Sequence, residues 1–199
     1  WVLERAIRDH AMQIDKERVK SASLQLKTFL QYIQNAESKE QLRGYEGEAA
    51  SIYFSVFDEL ILQQKKDFSF QGRSKRPPMD NVNAMLSFVY TLLTNQITSA
   101  LEVVGLDPCV GYLHTERPGR ASLALDLIEE FRAVYADRFV LSLINKKIVN
   151  KKNFTKKENG AVLMDDDSRK KLLMEWQNKK KEVITHPFLK EKVEWGMLP

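Results

Sequence analysis

The stretch "VNAMLSFVYTLLTNQITSALEVV", Val82 to Val104, decides the fold. It is very apolar at helical spacing, which predicts one long core helix with Met85, Val89, Leu92, Leu93 and Leu101 facing inward. The segments around it follow the same period. Residues 1 to 35 contain neither Pro nor Gly, and Ile14, Val19, Leu26, Phe29 and Ile33 recur loosely at helical spacing, predicting one long helix or two. Ser38 followed by Gln41 is a capping signature that starts a fresh helix, and the helical pattern is strong from Tyr45 to Leu62. Residues 63 to 81, "QQKKDFSFQGRSKRPPMDN", are basic and polar around a Pro-Pro pair that no helix interior accepts, so they form a loop.

Downstream, "GYLHTERPGRASLALDLIEEFR", Gly111 to Arg132, sets a histidine before a Pro-Gly turn and then opens a helix. A further helix is predicted from about Ala136 to Val149. Asn159-Gly160, between two short runs, signals a hairpin, and the acids before Ser168 open a basic helix to about Lys181. The expected fold is all-α, a multi-helix domain with a small β-hairpin near the C-terminus.

The 199 residues suffice for one sizeable core, and 43% hydrophobic with 29% charged residues excludes wholesale disorder. With 31 basic residues against 27 acids, the net charge of +4 permits anionic partners without requiring them. The single cysteine, Cys109, excludes an intramolecular disulfide framework and a Cys-rich zinc cage, and it fits a reducing cytoplasm. No run approaches the length of a membrane span, and the N-terminus lacks a secretory pattern. The chain starts at Trp1, which suggests a piece of a longer protein.

Two acidic positions stand out. Projecting Tyr45 to Leu62 at about 100° per residue puts Glu46 on the apolar stripe with Ala49, Tyr53, Phe57 and Leu60, while Glu48 lies opposite with Asp58 and Glu59. A carboxylate on a buried face needs a cation, a donor or a proton. A frayed first turn stabilised by the helix dipole or a nearby Arg accounts for Glu46 equally well. In the helix after the Pro-Gly turn, Ala124, Leu127, Ile128, Phe131, Val134 and Tyr135 make the buried stripe, so periodicity sends Asp126 and Glu129 to a solvated face. Against that stands His114, which the turn could fold back over the helix. One imidazole with carboxylates is a ligand set suited to Mg²⁺ or Mn²⁺. His10 and His186 have no such acidic helix, and "MDDDSRKK" reads as a helix cap. The lysines at 146, 147, 151, 152, 156, 157 and 179 to 181 read mostly as solvated surface.

As a set, "LRGYEGEAASIYF", "RSKRPPMDNVNAMLSFVYTLL", "GYLHTERPGRASLALDLIEEFR" and "DRFV" closely resemble the C-terminal catalytic domain of the universal CRISPR-associated integrase, Cas-one. The resemblance is strong over residues 42 to 149 and looser over the flanks, including the hairpin and basic helix of 150 to 199. It implies that residues 1 to 199 form a helical metal-dependent DNA endonuclease and integrase domain, inserting foreign DNA into a CRISPR repeat array. Carried over by position, the metal ligands are Glu46, His114 and Glu129, sharing one Mg²⁺ or Mn²⁺, with Asp126 in support. Many members have Asp where this chain has Glu129. Arg73, Lys75, Arg76, Arg117 and Arg120 are candidates to hold the DNA backbone. The implied partners are double-stranded DNA (the prespacer and the repeat), a second copy in a homodimer, the bridging protein Cas-two and in some systems a Cas-four nuclease, with no role for a membrane. The family's N-terminal β-rich domain is not found in these residues. The rival reading is a catalytically silent helical module that binds nucleic acid or a protein through its basic face.

Overall fold

A computed structural model describes residues 1–115, 117–186 and 189–197. At its centre is the long apolar helix, α4 (Asn81–Val103), whose first turn is capped by the Asp80 side chain accepting from the Asn83 N–H. Val82, Met85, Leu86, Val89, Leu93, Ile97 and Leu101 are all buried along it, and Leu92 is half-buried. Each such side chain contributes about 1.5–3 kcal/mol on leaving water, so α4 is the post around which the rest condenses.

The first 35 residues form two helices, α1 (Val2–His10) and α2 (Lys16–Gln34), split where Asp15 caps α2 by accepting from the Arg18 N–H. Ser38 caps α3 (Lys39–Ser55) through the Gln41 N–H. The Gln41 side chain reaches back to the Glu37 N–H. The helix expected to continue to Leu62 stops at Ser55, and Phe57–Leu60 tighten into a 3-10 turn. The aromatic cluster Tyr53, Phe54, Phe57 and Phe70 explains the stop: the turn is what brings Phe57 to 4.9 Å from the Phe70 ring of the following loop. That loop returns to α4, where Asn83 Oδ1 accepts from the Ser74 N–H and from Arg73.

After α4 the chain folds back as α5 (Ser122–Phe131), widens into a π-helical turn (Arg132–Asp137) and continues as α6 (Arg138–Asn145). The expected helix from Ala136 therefore begins within the π turn and ends four residues early. The Asn159-Gly160 hairpin forms: β1 (Phe154–Lys156) pairs antiparallel with β2 (Val162–Met164), and Gly160 supplies the positive φ of 82° that the turn needs. Asp165 caps α7 (Asp166–Lys180) by accepting from the Ser168 N–H. A second hairpin, β3 (Val183–Thr185) with β4 (Lys192–Glu194), is too short to leave a pattern in the sequence. Trp176 of α7 packs on Tyr135 and Phe139, at ring distances of 4.8 and 5.2 Å, and closes the core. Among the described residues no helix is long and apolar enough to cross a membrane.

Candidate active site

The turn before α5 is built around one carboxylate. The α5 N-terminus has no side-chain cap, and the Pro108 carbonyl instead accepts from the Leu123 N–H at 2.8 Å, which lays the preceding loop across the first turn. That brings residues 111–115 over the face carrying Asp126. Asp126 Oδ2 accepts from the N–H groups of Tyr112 (2.6 Å) and Leu113 (3.0 Å). Its Oδ1 accepts from the His114 N–H (2.8 Å) and lies 2.7 Å from His114 Nδ1. Gly111 makes the approach possible, since a Cβ there would stand 2.7 Å from Ser122 Cβ and 2.9 Å from the Ser122 carbonyl carbon.

Burial works against the charge of Asp126, but the His114 ring and the three N–H groups outweigh it and hold the carboxyl below the usual carboxylate range. An ionised carboxylate only accepts hydrogen bonds. The proton of a neutral His114 ring therefore sits on Nδ1, and Nε2 keeps its lone pair for something else.

Glu129, one turn further along α5, turns Oε1 to Arg132 Nη2. Its side chain is 25% exposed, so it does not lie on the solvated face that periodicity assigns to it. Neither does Asp126, at 12% exposure. Glu130 is the exposed acid of this helix, and Leu127, expected in the core, is also exposed. Glu46 of α3 is half-buried whereas Glu48 is exposed, as the projection predicts. Arg43, one turn before Glu46, donates to Thr115 Oγ1 at 3.0 Å and ties α3 to the histidine loop. Burial, then the charges of Arg132 and Arg73, lower the pKa of Lys75, and Glu46 opposes them, so these four groups share one electrostatic neighbourhood.

Sequence reasoning overlooks a polar cluster beneath that neighbourhood. Asp137, in the π turn, is fully buried and accepts from the Tyr90 hydroxyl at 2.5 Å. Burial raises its pKa to about 6 against the lowering influence of Tyr90, Tyr53, Arg132 and Arg73. The guanidinium carbons of Arg73 and Arg132 lie 5.2 and 5.6 Å from the centroid of the Tyr90 ring. A signal was present: Asp137 has apolar Ala133, Val134, Val140 and Leu141 at every i±3 and i±4 position.

The donor set, an oriented imidazole and two half-buried carboxylates, suits a divalent cation in kind. The buried Glu129 Oε1 lacks a hydrogen bond of regular geometry and so has coordination capacity to offer. In arrangement the set is not closed: among the described residues no three His, Cys, Asp or Glu side chains stand within reach of one ion. Of the basic candidates, Lys75, Arg76 and Arg117 are exposed and Arg120 is half-buried. Arg73 points inward, donating to the Ser74 carbonyl, Asn83 Oδ1 and Ser87 Oγ.

This geometry has close relatives. A CRISPR-associated endonuclease Cas1 of Chlorobaculum tepidum is 53% identical over 196 residues, covering 98% of this chain and 57% of the relative. The chain thus spans somewhat more than half the length of that protein. The solved structure of a CAS1 protein from Thermotoga maritima matches with a TM-score of 0.77 at 28% identity, covering 99% of this chain and 60% of that one. A casposase bound to its integration product matches with a TM-score of 0.79 at 26% identity, covering 98% of this chain and 52% of the casposase. The family model described as CRISPR associated protein Cas1 matches residues 1–178, and the chain belongs to that family.

Proposed function

We propose that this chain is the catalytic part of a metal-dependent DNA endonuclease and integrase of CRISPR adaptation, cutting phosphodiesters and joining a DNA 3′-hydroxyl to the edge of a repeat. The observation that carries it is the Asp126 clamp, which fixes three backbone N–H groups and the His114 ring so that Nε2 is left as an acceptor. A histidine held this way by a carboxylate is the arrangement that metal-ligating imidazoles use. Glu46, His114 and Glu129 are the residues that would hold Mg²⁺ or Mn²⁺. Bound there, the ion supplies Lewis-acid polarisation of a phosphodiester oxygen and a lowered pKa for an attacking hydroxyl.

The chain's own groups do the rest. Asp126 orients the ring and sets its tautomer. Arg43 pins α3 to the histidine loop and keeps Glu46 at the site's edge. Lys75, Arg76, Arg117 and Arg120 offer charge to the DNA backbone, and Arg73, engaged with Asn83 and Ser87, shapes the loop that presents Lys75 and Arg76. Double-stranded DNA is the proposed substrate. Homodimerisation, bridging by Cas-two, assistance from a Cas-four nuclease and a cytoplasmic location complete the proposal, all resting on the family resemblance.

The test is cleavage and strand transfer on duplex DNA with and without Mn²⁺, comparing the parent with His114→Ala and Glu46→Ala. Loss of metal-dependent activity in both variants is expected. Equal activity in all three proteins would remove the catalytic assignment. DNA binding that falls steeply with salt, with no effect of metal on any product, would favour a binding module instead.

A further inference from the structure

Four buried polar atoms near the site lack hydrogen bonds of regular geometry: Glu129 Oε1, Arg132 Nε, Arg73 Nε and Asp137 Oδ2. Buried polar atoms are satisfied in the great majority of cases, so a concentration of exceptions beside one functional site points to groups that exchange partners. The groups form a chain of contacts. Glu129 faces Arg132, the Arg132 guanidinium lies over the Tyr90 ring, and the Tyr90 hydroxyl donates to Asp137. The charge of Arg132 is felt by Asp137 on one side and by Lys75 on the other, and Glu46 stands beside Lys75.

Glu129 and Arg132 are three residues apart across the junction of α5 and the π turn. The π turn adds a residue to the helical ladder, and such turns recur where a helix is bent to a functional purpose. Here it carries Arg132 and Asp137 together, so the cation and the buried anion belong to one rigid segment. A guanidinium and a divalent ion cannot both have the full attention of one carboxylate, because each claims the same lone pairs.

We infer that Arg132 is a positioning residue that competes with the divalent cation for Glu129, and that buried Asp137, through Tyr90, draws Arg132 away and biases the competition toward the cation. The inference rests on Glu129 being a metal ligand, as proposed above. It assigns Arg132 no contact with the reacting atoms. Its consequence is an ion that enters by displacing an arginine, so that occupancy depends on a network the ion never touches.

The experiment is titration of the full chain with Mn²⁺ alone at pH 7.5, following the electron paramagnetic resonance of the free ion, with circular dichroism melting to establish that each variant is folded. Arg132→Gln is expected to tighten Mn²⁺ binding about five-fold, the scale set by losing one half-buried competing pair. Arg132→Lys, which keeps the charge, is expected to restore the parent affinity, which a merely structural role would not do. Asp137→Asn is expected to weaken binding about three-fold in the parent and to have no effect in the Arg132→Gln background, because the coupling runs through Arg132. Equal or weaker binding in folded Arg132→Gln, while the parent binds Mn²⁺, would overturn the inference and leave the proposed function standing. A parent that binds no Mn²⁺ would overturn both. The Arg132 comparison decides the matter by itself if Asp137→Asn does not fold.

Discussion

Replacing Asp126 by Asn changes one atom and tests the centre of the proposed site. The two oxygens divide their work: Oδ2 takes the N–H groups of Tyr112 and Leu113, and Oδ1 takes the N–H and the ring of His114. An amide offers only one accepting oxygen, so either orientation loses one of these pairs and aims an NH₂ group at donors. Hydrogen bonds to a charged group are worth about 1.5–3 kcal/mol each, and the 12% exposure of Asp126 lets water recover part of two such losses. The expected destabilisation is about 2–4 kcal/mol, read as a shift of the urea midpoint at pH 7. If the NH₂ group faces the ring, Nδ1 becomes the acceptor and Nε2 gains the proton, which removes the lone pair left for the metal. Activity should fall about 10–100-fold with duplex affinity little changed, since oriented ligands depend on their supporting carboxylates to that degree. Nitrogen-15 spectra of His114 should show the tautomer exchange directly. An Asp126→Asn protein with the parent midpoint, the parent tautomer and full activity would refute this account of the loop. The sign with pH is also determined. Because the native pKa is depressed, the contribution of Asp126 is present above its unfolded value near about 4 and is lost as pH falls through the native one.

Three further outcomes are expected. Gly111→Ala should cost about 1–3 kcal/mol and lower DNA cleavage, because a Cβ 2.7 Å from Ser122 Cβ forces the histidine loop off α5; unchanged melting and cleavage would show that the loop yields freely. Asp137 has a raised native pKa of about 6, so the stability linked to its protonated form is present below its unfolded value near pH 4 and declines as pH rises through about 6, by about 3 kcal/mol. Urea midpoints at pH 4 and pH 8 should show that decline in the parent and a flatter profile in Asp137→Asn; parallel profiles would contradict it. Trp176→Ala, which removes a side chain 3% exposed and stacked on Tyr135 and Phe139, should cost about 3–5 kcal/mol by thermal melting.

The fold was legible in the sequence wherever a helix buries a stripe against another element. The period of α4 named its buried residues, and Ser38, Asp165 and Asn159-Gly160 marked boundaries that depend only on local hydrogen bonding. What escaped were features determined by distant contacts: the stop of α3 at the Phe57–Phe70 packing, and the π turn that begins at Arg132. The site shows the same division more sharply. Glu46 could be placed because it lies on the stripe of its own helix. Asp126 and Glu129 were sent to the solvent because helical projection registers only apolar partners, whereas their faces are covered by polar ones, the N–H groups of residues 112–114 and the guanidinium of Arg132. A carboxylate that gathers its own cover is invisible to any measure of hydrophobic periodicity. It is also the kind of acid a metal site needs, since a fully solvated carboxylate is held in no fixed direction and one buried against hydrocarbon is driven to protonate. The failure of the projection on the α5 acids therefore supports the functional reading: polar groups that pattern analysis assigns to water, yet which the fold encloses with donors, have been enclosed for a reason other than stability.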